Sequence, residues 1–210
     1  MMDPLKHVDV LIDRYPELEG QRMNIIEAYK ILEESYASGG ILLIAGNGGS
    51  AADSEHIVGE LMKGFENSRK LPQEYVDNLK TVDKEMGEVL GNNLQGGLPA
   101  IALDGHLALT TAYMNDCEPL LCFAQQVNGF GNKKDVFLGI STSGNSKNIL
   151  YAATVAKAKG MQCIGLTAQG GGKMAEVCDI CMSVPGPVTA RAQEIHILIG
   201  HILCELVDGE

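Results

Sequence analysis

The chain has no apolar run long enough to span a bilayer, which excludes a membrane-spanning helix. Its first residues (MMDPLKHVDVLIDRYPELEG) are charged and lack the apolar core of a secretory signal, so a cytoplasmic location is expected. No basic stripe is present, and 16 Lys and Arg against 27 Asp and Glu leave a net charge of −11. That balance argues against binding a nucleic-acid backbone. No glycine-rich turn ends in Gly-Lys-Ser/Thr, and none has Gly-x-Gly-x-x-Gly spacing before an acidic ribose ligand. A nucleoside triphosphate and a dinucleotide are therefore poor matches. Internal repeats and low-complexity tracts are also absent. The six cysteines (Cys117, Cys122, Cys163, Cys178, Cys181 and Cys204) lie mostly in apolar patterns and read as reduced core residues. Cys178 and Cys181 have CxxC spacing, but no second pair follows, so strand or core positions are expected rather than a zinc or redox motif.

At 210 residues the chain fits one domain, expected over 1–210. An amphipathic helix is expected over about Gln21–Ser38, ended by Gly39-Gly40. Strands are expected at Ile41–Ala45, Pro99–Leu103, Asp135–Ile140, Met161–Thr167 and Ile180–Val184, with helical patterns between them and a long last helix over about Thr189–Val207. Alternating strands and helices predict an α/β fold with a parallel sheet covered on both faces. The polar segment 66–97 fits poorly and reads as an insertion, with a short helix near Val82–Leu90; a lid, a binding loop, an interface element or a tolerated surface insertion all remain open.

Two junctions carry chemistry. The strand ending at Ile140 runs into Ser141-Thr-Ser-Gly-Asn-Ser146 and then a helix, and the strand ending at Ala45 runs into Gly46-Asn-Gly-Gly-Ser50 and then a helix. The first N–H groups of a helix have no internal partner, and the helix dipole makes that end positive. Small hydroxylated residues add donors and allow close approach, so each turn is suited to a phosphate. One such turn is equally well a helix cap with spare serines; two suggest a single phosphorylated ligand at the carboxyl ends of the sheet. Lys147 and Lys173 near the expected helix starts could add positive charge, or be ordinary solvated lysines.

His56 and Glu60 lie four apart on the helix after the first turn, on one face and about 6 Å apart along the axis. Such a pair can share a metal ion or move a proton, or simply be a surface interaction. The last helix carries Gln193, Glu194, His196 and His201 among apolar residues. His196 reads as a paired core histidine or a subunit contact. Gln193 and His201 are separated by about 12 Å of helix rise. A site between subunits, with one of the two supplied by a neighbouring copy, would resolve that separation.

With these residues assembled, the chain resembles the sugar-isomerase (SIS) domain family, and within it the phosphoheptose isomerase branch. The matching pieces are AGNGGSAAD, the HIVGE pair, LPAIAL, MND, GISTSGNSKN, the GGGKMA turn and AQEIHILIGH. The resemblance implies a three-layer, flavodoxin-like sandwich around a five-stranded parallel sheet, and a homotetramer with sites between subunits. It implies a phosphosugar substrate, with Ser50, Ser141, Thr142, Ser143 and Ser146 around the phosphate, Asn47 and Asp104 near the sugar, and Gly48, Gly49 and Gln193 also in contact with the substrate. Glu60 and His201 match the catalytic pair, and His56, Glu60, Gln193 and His201 match a zinc-binding set. The implied reaction converts sedoheptulose 7-phosphate to D-glycero-D-manno-heptose 7-phosphate through an enediol. That chemistry needs a base at carbon and an acid at oxygen: Glu60 is the expected base and His201 its partner, since imidazole exchanges protons near neutrality.

Two departures from the branch stand out. Gly64 replaces an arginine, leaving Lys63 or Arg69 as the cation that would compensate, and Ala190 replaces an aspartate. Non-catalytic relatives that bind a replication initiator, or sense phosphosugars ahead of a helix-turn-helix, are the alternative readings. The former lack the glutamate and histidine, and the N-terminal stretch here is too short for the latter.

Overall fold

The structure is a computed structural model that describes residues 5–186 and 188–209. Five strands, β1 (Leu42–Ala45), β2 (Ala100–Ala102), β3 (Val136–Ile140), β4 (Gln162–Ala168) and β5 (Ile180–Val184), form one sheet in the order β2-β1-β3-β4-β5. All four pairings are parallel. Every residue of β1 and β3 is buried, as expected of strands covered on both faces. The edge strand β5 alternates instead. The expected strands match these to within a residue or two at each end.

Ten helices surround the sheet among the described residues: α1 (Leu5–Arg14), α2 (Arg22–Ala37), α3 (Gly49–Leu61), α4 (Gln73–Val82), α5 (Lys84–Asn93), α6 (Leu107–Asp116), α7 (Cys122–Phe130), α8 (Lys147–Ala158), α9 (Met174–Val177) and α10 (Thr189–Asp208). One face packs α1, α2, α3 and α10 against Leu42, Ile44, Leu138 and Ile140. The other packs α7, α8 and α9 against Leu43, Ala45 and Phe137. Successive strand residues point to opposite faces, so β1 and β3 feed both layers. As expected, α2 stops at the glycine pair: Gly40 N–H donates to the Ser35 carbonyl at 2.8 Å, closing the helix end.

The segment 66–97 is a helical hairpin rather than one short helix. The expected helix at Val82–Leu90 straddles a break at Asp83, whose extended backbone ends α4 and whose carboxylate accepts the Met86 N–H at 2.8 Å to start α5. The two helices lie close because Gly87 and Gly91 carry no side chain where they meet Leu79 and Val76. Only Gly87 in this hairpin is buried.

The loop after α3 is held from the far end of the chain. Asp208, at the last turn of α10, is buried, and its Oδ2 accepts the N–H groups of Phe65, Glu66 and Asn67 at 3.2, 2.8 and 2.8 Å. Its Oδ1 accepts Arg69 Nη1 at 2.6 Å. Arg69 also donates to the carbonyls of Gly96 at 2.7 Å, Leu61 at 2.7 Å and Lys63. Its guanidinium is thus spent on the fold, and Arg69 is not the free cation that would replace the missing arginine.

His196 is fully buried, so it is a core residue, but it is not a paired one. Its ring faces the Thr167 backbone without a well-aligned hydrogen bond to either nitrogen among the described residues. Burial holds its pKa below the ordinary 6.5, only partly offset by Thr167. Below pH 6.5 the unfolded chain takes up a proton that the folded chain refuses, so stability falls as pH drops. Replacing His196 by Leu is expected to remove this share of the pH dependence without loss of stability at pH 7, read by urea unfolding across pH 5–8. Asp208→Ala is expected to lower the unfolding free energy by about 3–5 kcal/mol, since it strands Arg69 and three N–H groups; the same titration at pH 7 checks it.

Candidate functional site

Because β1 connects to the edge strand β2 and β3 connects the other way to β4, their helices leave on opposite faces. Between β1 and β3, paired from Leu42↔Val136 to Ala45↔Gly139, lies the switch point where α/β sheets hold ligands. Both expected turns sit there. Neither helix that follows has a side-chain cap: Gly48 precedes α3 and Ser146 precedes α8. The Ser50 and Ala51 N–H groups close on the Asn47 and Gly48 carbonyls at 3.1 Å, and the Ile149 N–H meets Asn148 Oδ1 at 3.1 Å. The two positive helix ends stand at neighbouring strand ends, a setting suited to an anion. The turns are stapled by a reciprocal amide pair, Asn47 Nδ2 to Asn148 Oδ1 at 3.1 Å and Asn148 Nδ2 to Asn47 Oδ1 at 2.8 Å.

Within the second turn, the Ser141 and Ser146 hydroxyls bond each other at 2.9 Å, Ser143 Oγ accepts the Asn145 N–H at 3.1 Å, and the Thr142 carbonyl accepts Ala168 N–H at 2.9 Å. Gly144 has φ +63°, and a Cβ there would lie 2.0 Å from the Gly171 carbonyl oxygen. The turn after β4 thereby closes over the serine turn, and the Met174 N–H donates to the Gly144 carbonyl at 3.0 Å. Lys147 and Lys173 are both exposed beside these turns. In the first turn, Gly48 has φ +58°, Ser50 is buried, and Gly49 lies under the Gln193 amide, which would be 2.6 Å from a Cβ.

Asp104, just beyond β2, braces α3: its Oδ1 meets Ser54 Oγ at 2.5 Å, and its Oδ2 is buried without a partner among the described residues. Burial raises its pKa, opposed by the Ser54 hydroxyl and by the backbone N–H groups of Asp104 and Gly46. Asp53, one turn before His56, also has a buried, unpartnered Oδ2, and burial raises its pKa while His56 lowers it.

The second cluster forms where α3 and α10 run side by side in the same direction, Gly49 beside Gln193 and Ile57 beside Gly200. His56 Nε2 and His201 Nε2 are 2.9 Å apart, one ring donating and the other accepting. Glu60 Oε1 lies 3.8 Å from His56 Nε2, and its other oxygen takes the Lys63 ammonium. Phe65 stacks on His201 at 5.8 Å. On the α1 side, His201 lines a cavity of about 480 Å³ with Lys6, His7, Arg14, Glu66 and Glu205.

A single chain thus brings His56, Glu60 and His201 together. Asn47, Gly48, Gly49, Ser50, Ser141, Thr142, Ser143, Ser146 and Gln193 gather at the other end of α3. Ser50 and Glu60 are ten residues apart on that helix, about 15 Å of rise. His201 needs no neighbouring copy to reach His56, whereas Gln193 does not join it within the chain. Sequence reasoning did not single out Asn148, Phe65, Asp53 or Asp208. Asp53 and Asn148 lie inside the AGNGGSAAD and GISTSGNSKN pieces, whereas nothing local marks Phe65 or Asp208.

Two imidazoles and a carboxylate are the donor types zinc takes. The arrangement is that of a hydrogen-bonded ring pair. Its 2.9 Å nitrogen separation is shorter than the roughly 3.3 Å between two nitrogens on one tetrahedral zinc, and no three acidic, His or Cys donors converge on one point among the described residues. The donor chemistry fits a zinc ion once the rings part slightly.

Gly144→Ala is expected to destabilise the protein by about 1–3 kcal/mol through the left-handed backbone and the Gly171 clash, and to weaken inorganic phosphate binding at least tenfold. Urea unfolding and phosphate-dependent thermal shift would read the two effects.

The SIS domain model matches residues 7–88 and 92–168. A phosphoheptose isomerase of Burkholderia pseudomallei (strain 1710b) is 43% identical over 174 residues, 83% of this chain and 75% of that protein. Phosphoheptose isomerase 2 of Campylobacter jejuni is 42% identical over 193 residues, 92% of this chain and 80% of that one. The solved structure of a phosphoheptose isomerase from Francisella tularensis superposes with a TM-score of 0.77 at 30% identity, covering 100% of both chains. With the parallel sheet and the two turns in place, these matches put the chain in the SIS-domain family, in its phosphoheptose isomerase branch.

Proposed function

We propose that the protein is a phosphosugar aldose–ketose isomerase that converts sedoheptulose 7-phosphate to D-glycero-D-manno-heptose 7-phosphate. The observation that carries this reading is the convergence of Glu60 with the His56–His201 pair, 2.9 Å between rings, in a chain about 42% identical to named phosphoheptose isomerases. The phosphate sits against the N-termini of α3 and α8, held by Ser50, Ser141, Thr142, Ser143 and Ser146, with Gly48 and Gly49 allowing close approach. Asn47, Asp104 and Gln193 border the sugar; Asp104 fixes the first turn through Ser54 and Gly46.

Isomerisation moves a proton between adjacent carbons. Glu60 removes it from carbon, with Lys63 steadying the carboxylate, and the proton returns to the neighbouring carbon. His201 transfers a proton to and from the adjacent oxygens as the enediol forms and collapses; Phe65 and His56 fix its ring. A zinc ion held by His56, Glu60 and His201, with Gln193 supplied by a neighbouring copy, would polarise the carbonyl and hydroxyl oxygens. A carboxylate engaged by zinc is a weaker base, so this chain's Glu60 acts as base to the extent that its oxygen is free.

The working form in this reading is a homotetramer with sites completed between copies. The distance of about 15 Å along α3 between the anion turns and Glu60 supports that arrangement, as does the placement of Gln193 beside Gly49, away from His201. The exposed apolar residues Met86, Val89 and Leu90, spaced to share one face of α5, suit such contacts.

Glu60→Gln and His201→Ala are each expected to reduce kcat by about 10²–10⁴-fold while sugar-phosphate binding persists. NMR of sedoheptulose 7-phosphate in D₂O, with and without added zinc, follows both turnover and C–H exchange. Full activity in either variant refutes the role assigned to that residue, and binding without any exchange in the parent protein identifies a non-catalytic phosphosugar module.

A further inference from the structure

The six cysteines are all free thiols, but they are not equally isolated. The Sγ atoms of Cys163, at the start of β4, and Cys178, at the end of α9, are 3.5 Å apart. The CxxC spacing is misleading here: Cys178 turns to Cys163, while the Cys181 sulfur lies 3.6 Å from Thr167 Oγ1 and 3.9 Å from Ser183 Oγ. Backbone bonds fix the pair from both sides. Asp179 N–H donates to the Cys163 carbonyl at 2.8 Å, and Cys163 N–H donates to Asp179 Oδ2 at 2.8 Å. Asp179 also pairs with Lys157, so its carboxylate, which raises the Cys178 pKa, and the ammonium, which lowers it, act there together. Gly165 leaves the space the sulfurs occupy, since a Cβ there would lie 3.1 Å from Cys178 Sγ and 3.3 Å from Cys181 Sγ.

The two thiols differ in access. Cys163 is buried and Cys178 is partly exposed. Of the two, a reagent from solvent reaches Cys178 first, and its sulfur is in contact with that of Cys163. The Cys163 S–H donates to the Cys178 sulfur, which holds the Cys178 thiol below its ordinary pKa and raises that of Cys163. Such a thiol is the reactive member of a pair, and the buried one resolves it.

We propose that Cys163 and Cys178 form a reversible dithiol–disulfide site that reacts with low-molecular-weight disulfides. Cys178 thiolate attacks one sulfur of the small disulfide; a Cys178–S–S–R bond forms, the original S–S bond breaks, and one thiolate leaves to take a proton from water. Cys163 then gives its proton to solvent, and its thiolate attacks Cys178 Sγ, expelling the second small thiolate, which is protonated in turn. The protein dithiol is oxidised by two electrons, and one small disulfide is reduced to two thiols. Closing the bond brings the sulfurs from 3.5 Å to about 2.05 Å.

The test uses the full chain carrying Cys117→Ser, which removes the exposed thiol. After exposure to oxidised glutathione and acid quench, the mass is expected to fall by about two hydrogens with no glutathionyl adduct, and digestion without reductant is expected to yield a peptide joining Cys163 to Cys178. Adding Cys163→Ser should leave one glutathionyl group on Cys178; adding Cys178→Ser should leave neither adduct nor cross-link. A persistent adduct on Cys178 in the Cys117→Ser parent, a Cys178–Cys181 bridge, or no reaction at Cys178 would each overturn the assignment. The parent's peptide map stands alone if a serine variant does not fold.

Discussion

The parallel pairing of β1 with β3 is the constraint on which the site depends. It places two carboxyl strand ends side by side and sends α3 and α8 to opposite faces of the sheet. Two helix N-termini without side-chain caps then face one crevice. A chain with net charge −11 has little positive charge to spare. It gathers positive potential at this crevice from backbone dipoles, with Lys147 and Lys173 exposed nearby rather than built in. The Asn47–Asn148 amide pair keeps the two turns in register, and the glycine turn after β4 closes over the serines.

From that crevice, α3 leads outward. Its first turn borders the glycine turn after β1, and its last turns present His56 and Glu60. Alignment with α10 is what makes these residues a cluster. The two helices run in the same direction, and Gly200 allows Ile57 to approach closely, which brings His201 to His56. The end of α10 then secures the loop that follows α3 through Asp208 and Arg69. One helix therefore supplies an imidazole to the cluster and a buried carboxylate to the loop beside it. This explains why a residue as far along the chain as Asp208 matters to the placement of Phe65 and Lys63.

Much of the fold was legible because its signals are local. Buried parallel strands read as unbroken apolar runs, and β1 and β3 are such runs. The turns announced themselves by glycine, asparagine and serine between a strand and a helix. The hairpin in 66–97 is weakly marked in the sequence because its polar, exposed residues give little periodicity, and the division rests on one residue, the Asp83 cap. Arg69 looked like a spare cation because sequence shows a charge and not its partners. His196 reads as a paired histidine because polar residues in cores usually are paired, whereas among the described residues this ring has only a poorly aligned approach to the Thr167 backbone.

Residue order alone determined the five strands, which residue types line the turns, and that His56 and Glu60 share a helical face, because each follows from interactions within a few residues. Only the tertiary structure decided that His201 meets His56 across 145 positions, that Arg69 turns inward to Asp208, and that Cys178 faces Cys163 rather than Cys181. Those contacts are set by how helices and strands pack on a shared core, and spacing along the chain carries no record of it.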